Sequence, residues 1–222
     1  MSTQTALADA SDTALDPVYR SSEVIFGLLM AMSFIGSISV ATDGQEEVRT
    51  LLVAALGCNL AWGLVDAVMH LVGTKTQKRR NFMLLSRLHG GADPATGRAL
   101  LADEISGPLA VSMGEEGLEQ LRQRLAATAP PAARPSLTGR DFGDAIIVFF
   151  LVVLSTFPLV VPFMLTDDTT RALLWSRLTA LAMLFLAGAM LARYSGGNVF
   201  LNGLVMALVG AALMAAIMAL GG

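Results

Sequence analysis

Five long apolar stretches constrain this chain more than any other feature of its sequence. Each has about 20 residues or more, the length that a helix needs to cross a hydrocarbon core of about 30 Å. Because the stretches are continuous and do not alternate with a period of two, they predict helices and not barrel strands. We therefore predict an all-α, polytopic membrane protein with five transmembrane helices, within residues 24–42, 50–74, 145–166, 172–192 and 194–222.

The polar segments between these stretches define the domain organisation. We predict a polar N-terminal tail in residues 1–22, transmembrane helices 1 and 2 in residues 23–74, a small helical insert in residues 75–142, and transmembrane helices 3 to 5 in residues 143–222. Glycine and proline pairs predict three short helices in the insert, in residues 75–89, about 94–105 and 115–127. The tail holds three Asp residues and a single Arg, the opposite of the basic start of a secretory signal peptide, so we expect the first helix to remain in the mature protein.

Basic residues are concentrated in the insert, which holds ten of the fifteen Lys and Arg residues of the chain. By the positive-inside rule, the insert is expected to stay in the cytoplasm. Five crossings then place the N-terminus in the cytoplasm and the C-terminus outside. A bacterial inner membrane is the expected location.

Composition excludes several classes of function. The formal net charge of −3 provides no basic field for a polyanion, so we expect no nucleic-acid partner. One cysteine, Cys58, and two histidines cannot build a Cys/His zinc site. Because no nucleophile motif accompanies the titratable residues of the apolar stretches, we expect neither an enzyme nor a tightly bound cofactor.

The second apolar stretch carries the clearest candidate site. With 3.6 residues per turn, one stripe of this helix contains an amide, a carboxylate, a thioether and an imidazole, from Asn59, Asp66, Met69 and His70. A carboxylate at membrane depth is costly and usually marks a pathway. These four residues are therefore candidate ligands for a divalent metal ion. The alternative is that Asp66 and His70 only pair with each other near the cytoplasmic end of the helix.

Further candidate ligands lie on the first stretch and in the insert. Glu23 and Met30 share one face of the first helix, although Glu23 could equally sit at the membrane interface and Met30 in the packing. In the insert, oxygen and sulfur donors that could collect a divalent cation weakly are supplied by Glu104, Met113, Glu115 and Glu119. A solvated acidic face, screened by Arg122 and Arg124, explains the insert residues equally well.

The third and fifth stretches contain patterns that bear on helix packing. Pro158 and Pro162 each remove a backbone hydrogen bond and predict a bend in the third helix. In the fifth helix, small residues recur every four positions and predict a stripe of close helix contact, formed by Gly203, Ala207, Ala211 and Ala215.

Together, the five spans, the helical insert between spans 2 and 3, the paired prolines of span 3 and the terminal Gly221-Gly222 resemble the vacuolar iron transporter family. The resemblance covers about residues 22–222 and is best from Asp144 onward. It implies a homodimer that exchanges cytosolic Fe²⁺ or Mn²⁺ for protons, with carboxylates and methionines on spans 1 and 2 as ligands. The family's Asn-Asp-Gly signature at the start of span 1 is missing here, and Glu23 is the nearest acidic residue.

Two hypotheses follow. In the first, the protein exports a divalent cation in exchange for protons, and the carboxylates of Glu23 and Asp66 bind metal and proton alternately. His70 is then a proton acceptor or a ligand, and Met30 and Met69 are soft auxiliary ligands. In the second, the same frame is a non-transporting membrane scaffold whose basic run, residues 75–80, binds anionic lipid or a protein partner.

Overall fold

The computed structural model describes residues 17–41, 45–105, 107–131 and 134–220. These ranges contain no strand, which confirms the all-α fold, and they form seven helices: α1 (Pro17–Ala41), α2 (Gln45–His89), α3 (Pro94–Glu104), α4 (Gly107–Ala126), α5 (Gly139–Leu165), α6 (Thr169–Ser195) and α7 (Val199–Ala219). Five of them, α1, α2, α5, α6 and α7, are long and apolar enough to cross a membrane, as predicted. Residues 1–16 of the predicted tail and the terminal Gly221-Gly222 pair lie outside the described residues.

Two helices begin or end differently from the prediction. Helix α1 begins at Pro17, within the predicted polar tail, because proline is well suited to the first turn of a helix. Helix α2 is one element of 45 residues, so no break separates the second apolar stretch from residues 75–89. At this junction, residues 74–80 consist of Lys, Arg, Gln and Thr without proline or glycine, and the helix therefore continues.

The chain divides into two compact units, residues 1–71 with 139–222, and residues 72–138. In the first, the membrane unit, α1 packs against α5, α6 and α7. Its core contains the fully buried side chains of Leu28, Met32, Leu159 and Leu184. Gly27 permits the approach of α1 to α5, because a Cβ there would lie 2.9 Å from the Val152 carbonyl oxygen.

The second unit, the insert unit, has a small core of its own. Leu88, Leu101 and Leu118 are buried there, one each from α2, α3 and α4. The Asp93 carboxylate caps α3 by accepting a hydrogen bond from the Thr96 amide. Helix α2 ends at the predicted Gly90-Gly91 pair, where Gly91 has a φ of 82°, a backbone conformation that favours glycine.

The predicted small-residue stripe of α7 is only partly buried. Gly203 is buried against Phe185 of α6, but Ala211 and Ala215 are exposed, and the buried face continues through Gly210 and Met214. The physical reason is geometric. Positions four apart drift by about 40° per step on a helix of 3.6 residues per turn, so a straight stripe rotates away from its neighbour.

Candidate ion-binding site in the membrane unit

The candidate site begins in the first two turns of α1. Tyr19 and Glu23 are four residues apart and therefore share one face of the helix. The Tyr19 hydroxyl is within hydrogen-bonding reach of the Glu23 carboxylate, and Glu23 also interacts electrostatically with Asp66 of α2. The first two helices thus bring two acidic side chains toward each other.

Helix α2 approaches α5 at Gly63. A Cβ at this position would lie 3.0 Å from a Val153 methyl carbon, so only glycine permits the observed separation without a shift. Asn59 and Asp66 are about one turn from Gly63 on either side. The Asn59 side chain is buried, and neither its Oδ1 nor the buried Oδ2 of Asp66 has a hydrogen-bond partner among the described residues. Two oxygen acceptors are therefore available for a donor or a cation.

His70 lies one turn beyond Asp66 and is buried, with 8% of its surface exposed. Its ring centroid is 5.8 Å from that of Tyr19. It interacts electrostatically with Asp144 and Asp141, which are buried at the start of α5. A histidine beside carboxylates is a group that can take up and release a proton in the physiological pH range.

These residues form a single polar cluster, which we define as Tyr19, Glu23, Asp66, His70, Asp141 and Asp144. All six belong to the membrane unit and lie toward one end of it, where the chain leaves at residue 71 and returns at residue 139. Buried carboxylates in this number are expensive within an apolar bundle. The arrangement can hold positive charge, either as protons or as a cation.

The cluster is not a closed metal cage. Among the described residues, no three side chains of His, Cys, Asp or Glu converge closely enough to hold a metal ion. A cation at this position would therefore be coordinated in part by water. Weak coordination of this kind suits an ion that must also leave.

Two of the predicted soft ligands lie apart from the cluster. Met69 is 59% exposed on α2, although it directly precedes His70 in the sequence. Met30 is partly buried on α1, two turns beyond Glu23. Trp62 of α2 packs edge-on against Phe26 of α1, with ring centroids 6.1 Å apart.

The predicted ligands of the insert do not form one site either. Glu119 is bound by Arg122 and Arg98, at 2.7 and 3.3 Å, and Glu104 pairs with Arg80 at 3.0 Å. Hydrogen bonds from Arg122 and Gln123 lower the pKa of the Glu119 carboxyl to about 2.

The other two predicted insert ligands are exposed. Glu115 is exposed and Met113 is 36% exposed, on either side of Gly114, whose φ of 62° interrupts α4. Among the described residues, Glu104, Glu115 and Glu119 do not converge closely enough to hold a metal ion.

Sequence reasoning missed three members of the cluster. Tyr19 precedes the first apolar stretch, and Asp141 and Asp144 precede the third, so all three fall in segments that hydropathy assigns to water. A usable signal was present, because Asp141 and Asp144 lie three residues apart and share one helical face directly before an apolar run. Acidic groups at that position also suit the positive N-terminal end of α5.

The amino-acid sequence matches a known protein family. The VIT family model matches residues 101–222, which is more than half of the chain. The chain belongs to the VIT family. Its predicted membership of the vacuolar iron transporter family is thereby confirmed, and with it the coarse function of metal-ion transport across a membrane. No curated protein matches the chain. The family match covers α5, α6 and α7 but excludes α1 and α2, which carry Glu23, Asp66 and His70.

Proposed function

We propose that this VIT-family protein exports a divalent cation, Fe²⁺ or Mn²⁺, from the cytosol in exchange for protons. The observation that carries the proposal is that Glu23 and Asp66, from two different membrane-spanning helices, are near enough to interact electrostatically, and that one buried Asp66 oxygen has no hydrogen-bond partner among the described residues. Unpaired carboxylate oxygen in an apolar bundle is a cost that binding of a proton or a cation removes.

Exchange follows from competition for the same atoms. A carboxylate that binds a divalent cation must be deprotonated, and a carboxylate that binds a proton is a poor metal ligand. Glu23 and Asp66 would therefore carry the metal in one half of the cycle and protons in the other. Oxygen and nitrogen donors with water suit Fe²⁺ and Mn²⁺ better than soft, thiophilic ions.

His70 and the two aspartates of α5 supply a route for the protons. His70 contacts the Tyr19 ring and interacts with Asp141 and Asp144, so it connects the Glu23 side of the cluster with the start of α5. Neutral imidazole accepts a proton on one nitrogen and releases it from the other. We assign His70 the role of proton acceptor and the α5 aspartates the role of attracting the cation.

The proposed orientation places the insert in the cytoplasm, with the N-terminus inside and the C-terminus outside. The cluster then lies at the cytoplasmic end of the membrane unit, where cytosolic metal would enter. We also propose that the protein works as a homodimer, because the buried core of the insert unit, in the part that the structure describes, consists of Leu88, Leu101 and Leu118 with a few partly buried apolar neighbours. A core of this size is small for a stable independent unit.

Metal flux into proteoliposomes under a pH gradient tests the proposal. The variant Asp66→Asn keeps the shape of the side chain and removes its charge, and it should reduce Fe²⁺ or Mn²⁺ flux at least about tenfold. Asp103→Asn, an equivalent change at an exposed residue of α3, should leave the flux unchanged. A dye that reports internal pH should show metal-dependent proton movement with the wild type and not with Asp66→Asn.

Wild-type flux in Asp66→Asn would refute the proposed site. The scaffold hypothesis is tested separately by heating the detergent-solubilised protein with and without Mn²⁺. A transporter that binds the ion should melt at a higher temperature in its presence, because a ligand bound to the native state stabilises it. A melting temperature that Mn²⁺ leaves unchanged would favour the scaffold hypothesis.

A further inference from the structure

The insert unit contains a second site with different chemistry. It is a cleft of about 410 Å³, which lies in the range typical of small-molecule sites. The residues that line it, here called the basic cleft, are Lys75, Arg79, Phe82, Met83, Arg134 and Pro135. Among these described lining residues, three are cationic, none is acidic and three are apolar.

The sequence spacing explains how helix α2 contributes to the basic cleft. Lys75, Arg79 and Met83 are each four residues apart and therefore follow one face of the helix, with Phe82 beside them. Arg134 and Pro135 come from the segment that leads to α5. The cleft thus combines cations from distant positions in the chain, which no local pattern brings together.

The structure also separates the members of the basic run. Arg80 forms an ion pair with Glu104 at 3.0 Å, so its charge is already matched by a carboxylate. Within the described part of the chain, no carboxylate pairs with Lys75, Arg79 or Arg134. Three like charges beside one cleft repel each other, and an anionic ligand removes that repulsion.

The chemistry of the cleft specifies such a ligand in two parts. Arginine guanidinium groups bind the oxygens of a phosphate in a bidentate manner, and a lysine adds a point charge. The Phe82 and Met83 side chains, the latter 45% exposed, need an apolar partner instead. The headgroup of phosphatidylglycerol carries a phosphate together with the carbon atoms of its glycerol, whereas inorganic phosphate offers only the first part.

The position of Lys75 along α2 favours a lipid of the surrounding membrane. The apolar stretch of α2, residues 50–74, ends directly before Lys75. A helix of this length is sufficient to cross the hydrocarbon core, so Lys75 is expected at its edge. Basic side chains at this level attract anionic headgroups, with about 1 kcal/mol for each.

We propose that the basic cleft binds the headgroup of an anionic glycerophospholipid, with Lys75, Arg79 and Arg134 around the phosphate and Phe82 and Met83 against the carbon atoms of the headgroup. This site is independent of the proposed metal exchange. It assigns Arg134, in the polar segment before α5, a role that its sequence context does not suggest.

Lipid binding to the purified full-length protein tests the proposal. The probe is phosphatidylglycerol, titrated into the delipidated protein in detergent and counted by native mass spectrometry. The double variant Arg79→Gln/Arg134→Gln should weaken binding roughly thirtyfold, since it removes two contacts. The matched control, Arg87→Gln/Arg124→Gln, removes two charges of the same unit outside the cleft and should bind within about twofold of the wild type.

Two further arms identify the ligand. Phosphatidylcholine should bind at least about tenfold more weakly than phosphatidylglycerol, and inorganic phosphate should not displace the lipid at equal concentration. The charge-preserving Arg79→Lys/Arg134→Lys variant should bind more tightly than Arg79→Gln/Arg134→Gln, because it keeps the positive charges although it loses the bidentate contacts. Equal weakening in the matched control, equal binding of phosphatidylcholine, or displacement by inorganic phosphate would each overturn the proposal.

Discussion

The close approach of α1 and α5 at Gly27 gives a sharp test of how the membrane unit is held together. A Cβ at residue 27 would lie 2.9 Å from the Val152 carbonyl oxygen and still closer to the Ser155 hydroxyl. Ordinary contact begins at 3.4 Å, so the two helices must separate by about 0.5 Å in a Gly27→Ala variant. Rotation of Ser155 would not relieve the clash cheaply, because its hydroxyl already donates a 2.7 Å hydrogen bond to that carbonyl.

The energetic cost of this separation follows from the packing. A gap of 0.5–1 Å loses about a quarter to a half of each atomic contact, which is worth about 0.1–0.2 kcal/mol per atom pair. If the separation affects as many pairs as one buried leucine side chain makes, about 40, the free energy of unfolding should fall by about 2 kcal/mol. Replacement of glycine by alanine within a helix also stabilises by about 1 kcal/mol, which partly hides the loss.

A matched glycine separates the two effects. At Gly57 of α2, no heavy atom lies within 4 Å of the position that a Cβ would take, so Gly57→Ala gains the helical preference without a clash. Equilibrium unfolding in detergent should therefore place Gly27→Ala about 2 kcal/mol below Gly57→Ala. Metal flux should fall in Gly27→Ala as well, because Glu23 lies one turn from the displaced contact.

The outcome that refutes this reasoning is equal stability of the two alanine variants. The double variant Gly27→Ala/Ser155→Ala adds a further check. It should recover only part of the loss, because the Val152 backbone carbonyl remains in place. Full recovery would mean that the side chain alone, and not the helix separation, determines the cost.

Two other predictions concern single interactions. Hydrogen bonds from Arg122 and Gln123 lower the pKa of the Glu119 carboxyl from an ordinary 4.5 to about 2. The ionised carboxylate therefore stabilises the insert unit fully above about pH 4.5, and this stabilisation is lost as the pH falls toward 2. The difference in melting temperature between the wild type and Glu119→Gln, followed by circular dichroism, should therefore shrink between pH 4.5 and 2, and a constant difference would contradict it. In the membrane unit, Ser176 donates a 2.6 Å hydrogen bond to the Leu159 carbonyl of α5. Ser176→Ala should therefore lower the free energy of unfolding by about 0.6 kcal/mol. An unchanged free energy of unfolding would show that this hydrogen bond contributes nothing.

The candidate site was only partly predictable from the sequence. Asp66 and His70 were identified because charged groups are rare within apolar helices, and Glu23 because it opens such a stretch. Met69 shares the sequence stripe with them, yet it is 59% exposed, since a stripe predicts a common face but not which neighbour that face meets. For the insert carboxylates the sequence left two readings open, and the ion pair of Glu119 with Arg122, three residues away, agrees with the solvated acidic face. The pairs of Glu104 with Arg80 and of Glu119 with Arg98 join residues 24 and 21 positions apart, which no local pattern predicts.

The number of membrane crossings, the helical class and the basic insert are properties of the sequence itself. They follow from local composition, because lipid cannot satisfy backbone polar groups and each apolar stretch must form its own helix. Tertiary structure alone decided three cases of spatial proximity. These are Glu23 near Asp66, His70 near the α5 aspartates, and Arg134 near Lys75 and Arg79. Such proximity depends on how each helix is rotated and how closely it approaches its neighbour. Gly27 and Gly63 permit a close approach to α5 because glycine has no Cβ.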